Sequence, residues 1–130
     1  MADVTLDHVT KRFGQTVAID DLSLTIADGE LVVLLGPTGA GKTTTLRLVA
    51  GLDAADTGRV SIGGRDVTGI APAGRDVTFV FQQYSLYPHL SVFDNLAFPL
   101  RSPQRRLPAD EIKRRVTEVA TMLRIAHKLD

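Results

Sequence analysis

Residues 30–52 read ELVVLLGPTGAGKTTTLRLVAGL, with GPTGAGKTT at residues 36–44. An apolar run enters this stretch and a helix-like run leaves it. Glycine costs backbone entropy wherever the chain becomes fixed, so Gly36, Gly39 and Gly41 need a compensating gain. The spacing Gly36-x-x-x-x-Gly41-Lys42-Thr43 offers one, because it satisfies the phosphate-loop pattern. Gly39 and Gly41 allow a tight turn whose N–H groups point inward. Those donors and the following helix N-terminus make a pocket of positive potential. Lys42 adds a mobile charge for β- and γ-phosphates, and the Thr43 hydroxyl is placed to ligate Mg²⁺. Pro37, Thr38 and Ala40 complete the loop, and Thr44 follows it.

Outward from the loop, residues 31–35 are continuously apolar, the pattern of a strand covered on both faces. Residues 77–81 repeat it and end at Gln82. The N-terminal segments differ. Val4, Leu6 and His8 alternate with polar residues, as do Leu22, Leu24 and Ile26, and both patterns predict half-buried strands. After Gly41 a helix is expected, with Leu46, Val49 and Ala50 as its apolar stripe and Gly51 as its stop. Residues 59–62 read as a strand running into a Gly63-Gly64 hairpin turn. Further on, Ser91 with Asp94 reads as a helix cap, and Pro99 ends that short helix. The longest helical pattern follows, with Ile112, Val116, Val119 and Leu123 on one stripe and Asp110 and Glu111 in its first turn.

Composition narrows the partners. Fifteen basic and 15 acidic residues cancel, so nothing supports a nucleic-acid surface. The chain has no cysteine, which removes disulfides and thiolate metal sites. His8, His89 and His127 show no metal-binding spacing and read as surface or packing residues. The first residues, MADVTLDHV, are acidic and alternating, so a signal peptide is not expected among them, and no apolar run approaches the roughly 20 residues of a membrane span.

Hydrolysis needs more than a phosphate loop: an acid holding the metal shell and a group that orients water. Asp66-Val67-Thr68-Gly69 has the spacing of a D-x-x-G element, but it follows Gly-Gly-Arg instead of an apolar strand and reads as a turn. No carboxylate downstream of Thr44 fits the metal shell. Gln82, at the tip of a buried-type strand, reads either as a polar strand end or as an oxygen donor toward metal and water. Phe13 reads either as a core residue or as a ring that stacks on a purine.

GPTGAGKTT followed by VFQQYSLYPHLSVFDNLAFPL resembles the nucleotide-binding subunit of ATP-binding cassette transporters, most of all the importer ATPases for sugars and related solutes. The resemblance runs from VTLDHVTKRFG to the last helix. It implies an α/β fold of the P-loop NTPase kind, with a RecA-like core, an N-terminal antiparallel β-subdomain and the start of a helical subdomain. Residues 1–90 would hold the core and the antiparallel sheet, and residues 91–130 the beginning of the helical part. The resemblance places Phe13 against adenine and residues 36–44 around the phosphates of ATP. It places Thr43 and Gln82 at the Mg²⁺. Tyr84, Leu86, Tyr87, Pro88, His89 and Leu90 would receive the coupling helix of a membrane partner. The implied partners are transmembrane permease subunits, a second ATP-binding subunit and, indirectly, an extracytoplasmic solute-binding protein. The implied location is peripheral, on the cytoplasmic face of the plasma membrane.

The family's Leu-Ser-Gly-Gly segment, its strand bearing the magnesium Asp and catalytic Glu, and its switch His are not among the 130 residues. The expectation is an incomplete transport ATPase that binds ATP without turning it over. A small-molecule kinase and a nonfunctional ATP-binding remnant stand as the alternatives. The purified 130-residue chain is expected to release no phosphate from Mg-ATP above background in a malachite-green assay; steady turnover would contradict this.

Overall fold

The computed structural model describes residues 2–83, 85–102 and 107–129 and divides at residues 79 and 80 into two units. In the first unit, β1 (Val4–Phe13) and β2 (Thr16–Ile26) form an antiparallel hairpin. β3 (Thr57–Ile62) pairs with the other side of β1, and β4 (Arg65–Asp66) closes the order β2-β1-β3-β4. Leu22, Leu24 and Ile26 keep the expected alternation. The tight turn at Gly63 and Gly64 also forms, with φ of 59° and 71°.

β1 departs from simple period two. A bulge lies between Leu6 and Val9 against both neighbouring strands, so both residues face the core. His8, which the alternation grouped with Val4 and Leu6, is turned out to solvent instead. Its Nδ1 lies 2.7 Å from Asp21 Oδ1, and that hydrogen bond raises the imidazole pKa. The turn at residues 66–69 is as expected: the Asp66 carboxylate accepts from the backbone N–H and the hydroxyl of Thr68.

α1 (Lys42–Ala50) lays Thr45, Leu48 and Ala50 against this sheet. The core of the unit gathers Leu6, Val9, Ile19, Leu48, Val60 and Val67. Leu46, expected on the buried stripe, is exposed. The buried arc is centred one residue earlier because Thr45 can face inward, its hydroxyl donating to the Gly41 carbonyl at 3.0 Å. Gly51, at φ 74°, ends the helix as expected. Arg47 then holds Asp53 through two bonds of 2.7 and 2.9 Å.

Arg75 secures the C-terminal end of α1. Its side chain is nearly buried, at 5% exposure. The guanidinium donates to the carbonyls of Leu48 (2.8 Å), Val49 (3.1 Å), Ile70 (2.6 Å) and Thr68 (3.2 Å). A cation at a helix C-terminus is also favoured by the helix dipole. Burial lowers the Arg75 pKa, and the carbonyl dipoles take the place of the lost water.

Residues 31–35 and 77–81 correct the sequence reading. Neither is a paired strand among the described residues. Leu31, Val33 and Leu35 are 90%, 69% and 88% exposed, and Val80 is 86% exposed. An apolar β-branched sequence sets a preference, but a strand exists only where neighbours complete its hydrogen bonds.

In the second unit α2 (Val92–Ala97) starts at Ser91, whose Oγ accepts from the Asp94 N–H at 3.0 Å. Pro99 follows in a 3₁₀ turn, Phe98–Arg101. α3 (Ala109–Met122) buries Ile112, Val116 and Ala120. The expected stripe is therefore half right: Val119 and Leu123 are exposed. The inward line runs at steps of four, and Ala120 lets the helix approach closely. Ala97, Ile112 and Val116 form this core, flanked by Phe93, Leu96, Leu100, Leu107 and Leu129. On the outer face Glu111 accepts from Arg114 and Arg115, which together hold its carboxyl down at about 2. Among the described residues no helix is long and apolar enough to cross a membrane.

Replacing Arg75 with Leu removes every one of those donors and strands buried carbonyls. The chain is expected to lose about 2–3 kcal/mol of stability in urea unfolding, and Arg75→Lys to recover part of it. An unchanged midpoint for Arg75→Leu would contradict this account.

Candidate functional site

The glycine loop is seated on β2. Gly39 and Gly41 have φ of 85° and 82°, a region that L side chains rarely occupy. At Gly41 a second constraint applies: a Cβ would stand 2.6 Å from the Ala18 carbonyl oxygen and 2.7 Å from Ile19 Cδ1. Only glycine lets the loop approach the strand this closely. From there the chain enters α1, and both the N–H and the hydroxyl of Thr45 donate to the Gly41 carbonyl, at 2.8 and 3.0 Å.

Lys42 folds back over the loop. Its Nζ donates to the carbonyls of Gly36 at 2.8 Å and Pro37 at 2.7 Å. The Ala40 N–H donates to Pro37 O at 3.2 Å, closing the turn through Thr38 and Gly39. Residues 36–40 and Thr43 are exposed, while Thr44 is half-buried. No acidic residue stands in the first turn of α1, so the positive end of the helix and the Lys42 charge act together. A cleft of about 350 Å³ borders the loop, lined by Ala18, Asp20, Leu34, Ala40, Lys42 and Thr45 among others.

Phe13 ends β1 and is 50% exposed, so it is not the core residue of the first alternative reading. It is not among the residues lining that cleft. The Lys11 Nζ lies 5.3 Å from its ring centroid. Asp56 holds this strand end: its carboxylate accepts from the Arg12 N–H at 2.6 Å and from Lys11 Nζ at 3.1 Å. The same two bonds, the backbone one first, lower the Asp56 pKa.

Gln82 lies in the second unit. It is exposed, on an irregular segment instead of at a strand tip. Tyr84 lies outside the described residues. The remaining expected partner-facing residues stand together. Tyr87 packs on Phe98 with ring centroids 4.6 Å apart and meets His89 edge-on at 6.1 Å. Leu86, Tyr87, Pro88 and Leu90 line a groove of about 460 Å³ with Asn95 and Ile125 among its walls.

Sequence reasoning missed what shapes that segment. The Asn95 side chain accepts from the Tyr87 N–H at 2.8 Å and donates to the carbonyls of Tyr87, Leu90 and Ser91 at 3.1, 3.1 and 2.9 Å. One amide thus satisfies the backbone of a non-helical turn. The available signal was an asparagine inside a short helix, where it is disfavoured unless its side chain has backbone to bond.

A glycine loop seated on a strand, closed by its own lysine and opening into a helix, defines a phosphate-binding domain of the P-loop class. The family model described as ABC transporter matches residues 19–130, and the chain belongs to that family. It is 46% identical over 130 residues to the sn-glycerol-3-phosphate import ATP-binding protein UgpC of Ruegeria pomeroyi, covering all of this chain and 36% of the relative. It is also 46% identical, over 136 residues, to the trehalose/maltose import ATP-binding protein MalK of Thermococcus litoralis, again covering 100% of this chain and 36% of the relative. Among solved structures, the ATP-binding cassette MJ0796, a dimer bound to ADP and Pi, matches with a TM-score of 0.72 and 30% identity, over 92% of this chain and 56% of that one. The fold is therefore the α/β P-loop fold of ATP-binding cassettes, represented here by its antiparallel sheet, phosphate loop and first helices. The chain spans about a third of the length of these curated relatives.

Asn95→Ala removes the donors and the acceptor that organise residues 87–91. Amide hydrogen exchange at Tyr87 and Leu90 is expected to speed up at least tenfold, with Asn95→Asp intermediate because it keeps only the acceptor. Unaltered exchange in Asn95→Ala would show that the turn is held by something else.

Proposed function

We propose that this chain is the ATP-binding part of an ABC importer's ATP-binding subunit. The observation that carries the reading is the loop at residues 36–44, with glycine backbone pressed onto β2 and the Lys42 ammonium poised over it. That arrangement fits a polyanion: exposed backbone, a helix N-terminus and one mobile cation, with no carboxylate in the first turn of α1. The relatives named as import ATP-binding proteins, and the cassette bound to ADP and Pi, support ATP as the ligand. Membership of the family also argues against the small-molecule kinase.

In this reading Gly36, Pro37, Thr38, Gly39, Ala40 and Gly41 wrap the phosphates. Lys42 leaves its two carbonyls to meet phosphate oxygen, and Thr43 and Thr44 present hydroxyls at the start of the helix. Phe13 offers a ring to the adenine. For Mg²⁺ the Thr43 hydroxyl offers a neutral oxygen ligand of the hard kind the ion prefers, and the side-chain oxygen of Gln82, in the other unit, is a donor of the same kind. Among the described residues no group of three His, Cys, Asp or Glu side chains could hold a metal, so the nucleotide phosphates would supply the anionic share. When bound, the ion neutralises phosphate charge; the chain's own part is to bind and orient the nucleotide.

The groove formed by Leu86, Tyr87, Pro88 and Leu90, with His89 beside it and Tyr84 preceding it, would seat a helix of a transmembrane permease. A second ATP-binding subunit would complete each nucleotide site, and an extracytoplasmic solute-binding protein would act through the permease. The solute would be a carbohydrate or a related compound, and the subunit would lie at the cytoplasmic face of the membrane. Functionally, residues 1–90 would serve as core and sheet, and residues 91–130 as the start of the helical part.

Lys42→Ala is expected to keep the circular-dichroism spectrum and to weaken ATP binding tenfold or more in a fluorescence titration with mant-ATP. Equal affinity in the variant and the parent chain would remove the basis of the assignment.

A further inference from the structure

Phe13 sits at a strand end with half its surface open, yet its surroundings are ordered. Lys11 and Phe13 are two apart on β1, with a register irregularity between Lys11 and Arg12, and their side chains meet at this strand end. The Lys11 ammonium stands 5.3 Å from the ring centroid, within reach of a cation–π contact. It is not a loose surface lysine: its side chain is 14% exposed, and Nζ is held by Asp56 Oδ1 at 3.1 Å. The other carboxylate oxygen of Asp56 accepts from the Arg12 N–H, the residue between the two, at 2.6 Å. The Asp56 N–H in turn donates to the Thr10 carbonyl at 2.9 Å. Asp56, just before β3, thus fastens residues 10–12 from outside the hairpin and fixes the cation beside the ring.

We propose that Lys11 and Asp56 are positioning residues for a nucleobase on Phe13: Asp56 anchors Lys11, Lys11 covers one face of the ring, and the purine takes the other. The inference rests on the ATP-binding reading and deepens it. A ring with one face occupied by a cation has a single face left for stacking. The cation also draws π-density toward itself, which makes the opposite face a better partner for the electron-rich purine. Neither residue touches the base or the phosphates in this scheme. Their effect should therefore appear only in the base-dependent part of the affinity.

That separation gives the test. Isothermal titration of the 130-residue chain compares Mg-ATP with magnesium tripolyphosphate, which offers the phosphates without base or sugar. The parent chain is expected to favour ATP, and Phe13→Ala to abolish most of that preference. Lys11→Met and Asp56→Asn should each reduce the ATP preference two- to fivefold with tripolyphosphate affinity unchanged, whereas Lys11→Arg, which keeps a cation over the ring, should retain it. If the two variants weaken both ligands equally, or leave the preference intact while Phe13→Ala removes it, the positioning role is overturned and ATP binding stands. If the parent chain takes neither ligand, the ATP-binding reading falls and this inference falls with it.

Discussion

At Gly41 the phosphate loop and β2 approach backbone to backbone, with the Ala18 carbonyl 2.6 Å from where a Cβ would be. That contact sets where the loop sits and where α1 begins. The helix then runs across the sheet with Thr45 and Leu48 inward, and Arg75 grips its far end through Leu48 and Val49. The N-terminal end and the C-terminal end of α1 are thus fixed by different devices. One is a missing side chain that permits close approach; the other is a buried cation whose charge is spread over carbonyl dipoles. A helix secured at both ends cannot slide along its axis, so the amides at its start keep a constant relation to the sheet.

The second unit relies on a comparable economy. Asn95 bonds the backbone at Tyr87, Leu90 and Ser91 and converts a proline-bearing segment into a defined turn on α2. Its apolar groove is thereby presented on a rigid base, with the Tyr87 ring supported by Phe98. In the proposed role of seating a partner helix, such support would hold the contact in place.

Much of this could be read before any coordinates. The phosphate loop, the cap at Ser91, the glycine stop at Gly51 and the Gly63-Gly64 turn are local features, each dictated by the φ or hydrogen-bond needs of a few neighbouring residues. The alternating strand β2 was equally legible. Where the reading failed, the cause was non-local. The bulge that turns His8 outward depends on registers with β2 and β3 at once. Leu46, Val119 and Leu123 lie on the edges of helical stripes, and the packed neighbour, not the period, decides which edge is covered.

The residue order by itself carried the phosphate-loop reading of residues 36–44, because a glycine spacing followed by lysine and threonine has few other uses and acts through its own backbone. It also determined the family, whose signature is linear. Tertiary structure alone decided that Gly41 touches Ala18, that Asp56 holds Lys11 beside Phe13, that Arg75 serves α1, and that residues 31–35 and 77–81 are not strands among the described residues. The reason is the same in each case: a hydrogen bond or a close approach between residues distant in sequence costs chain entropy that local propensity does not encode, and only the assembled neighbours reveal where that cost is met.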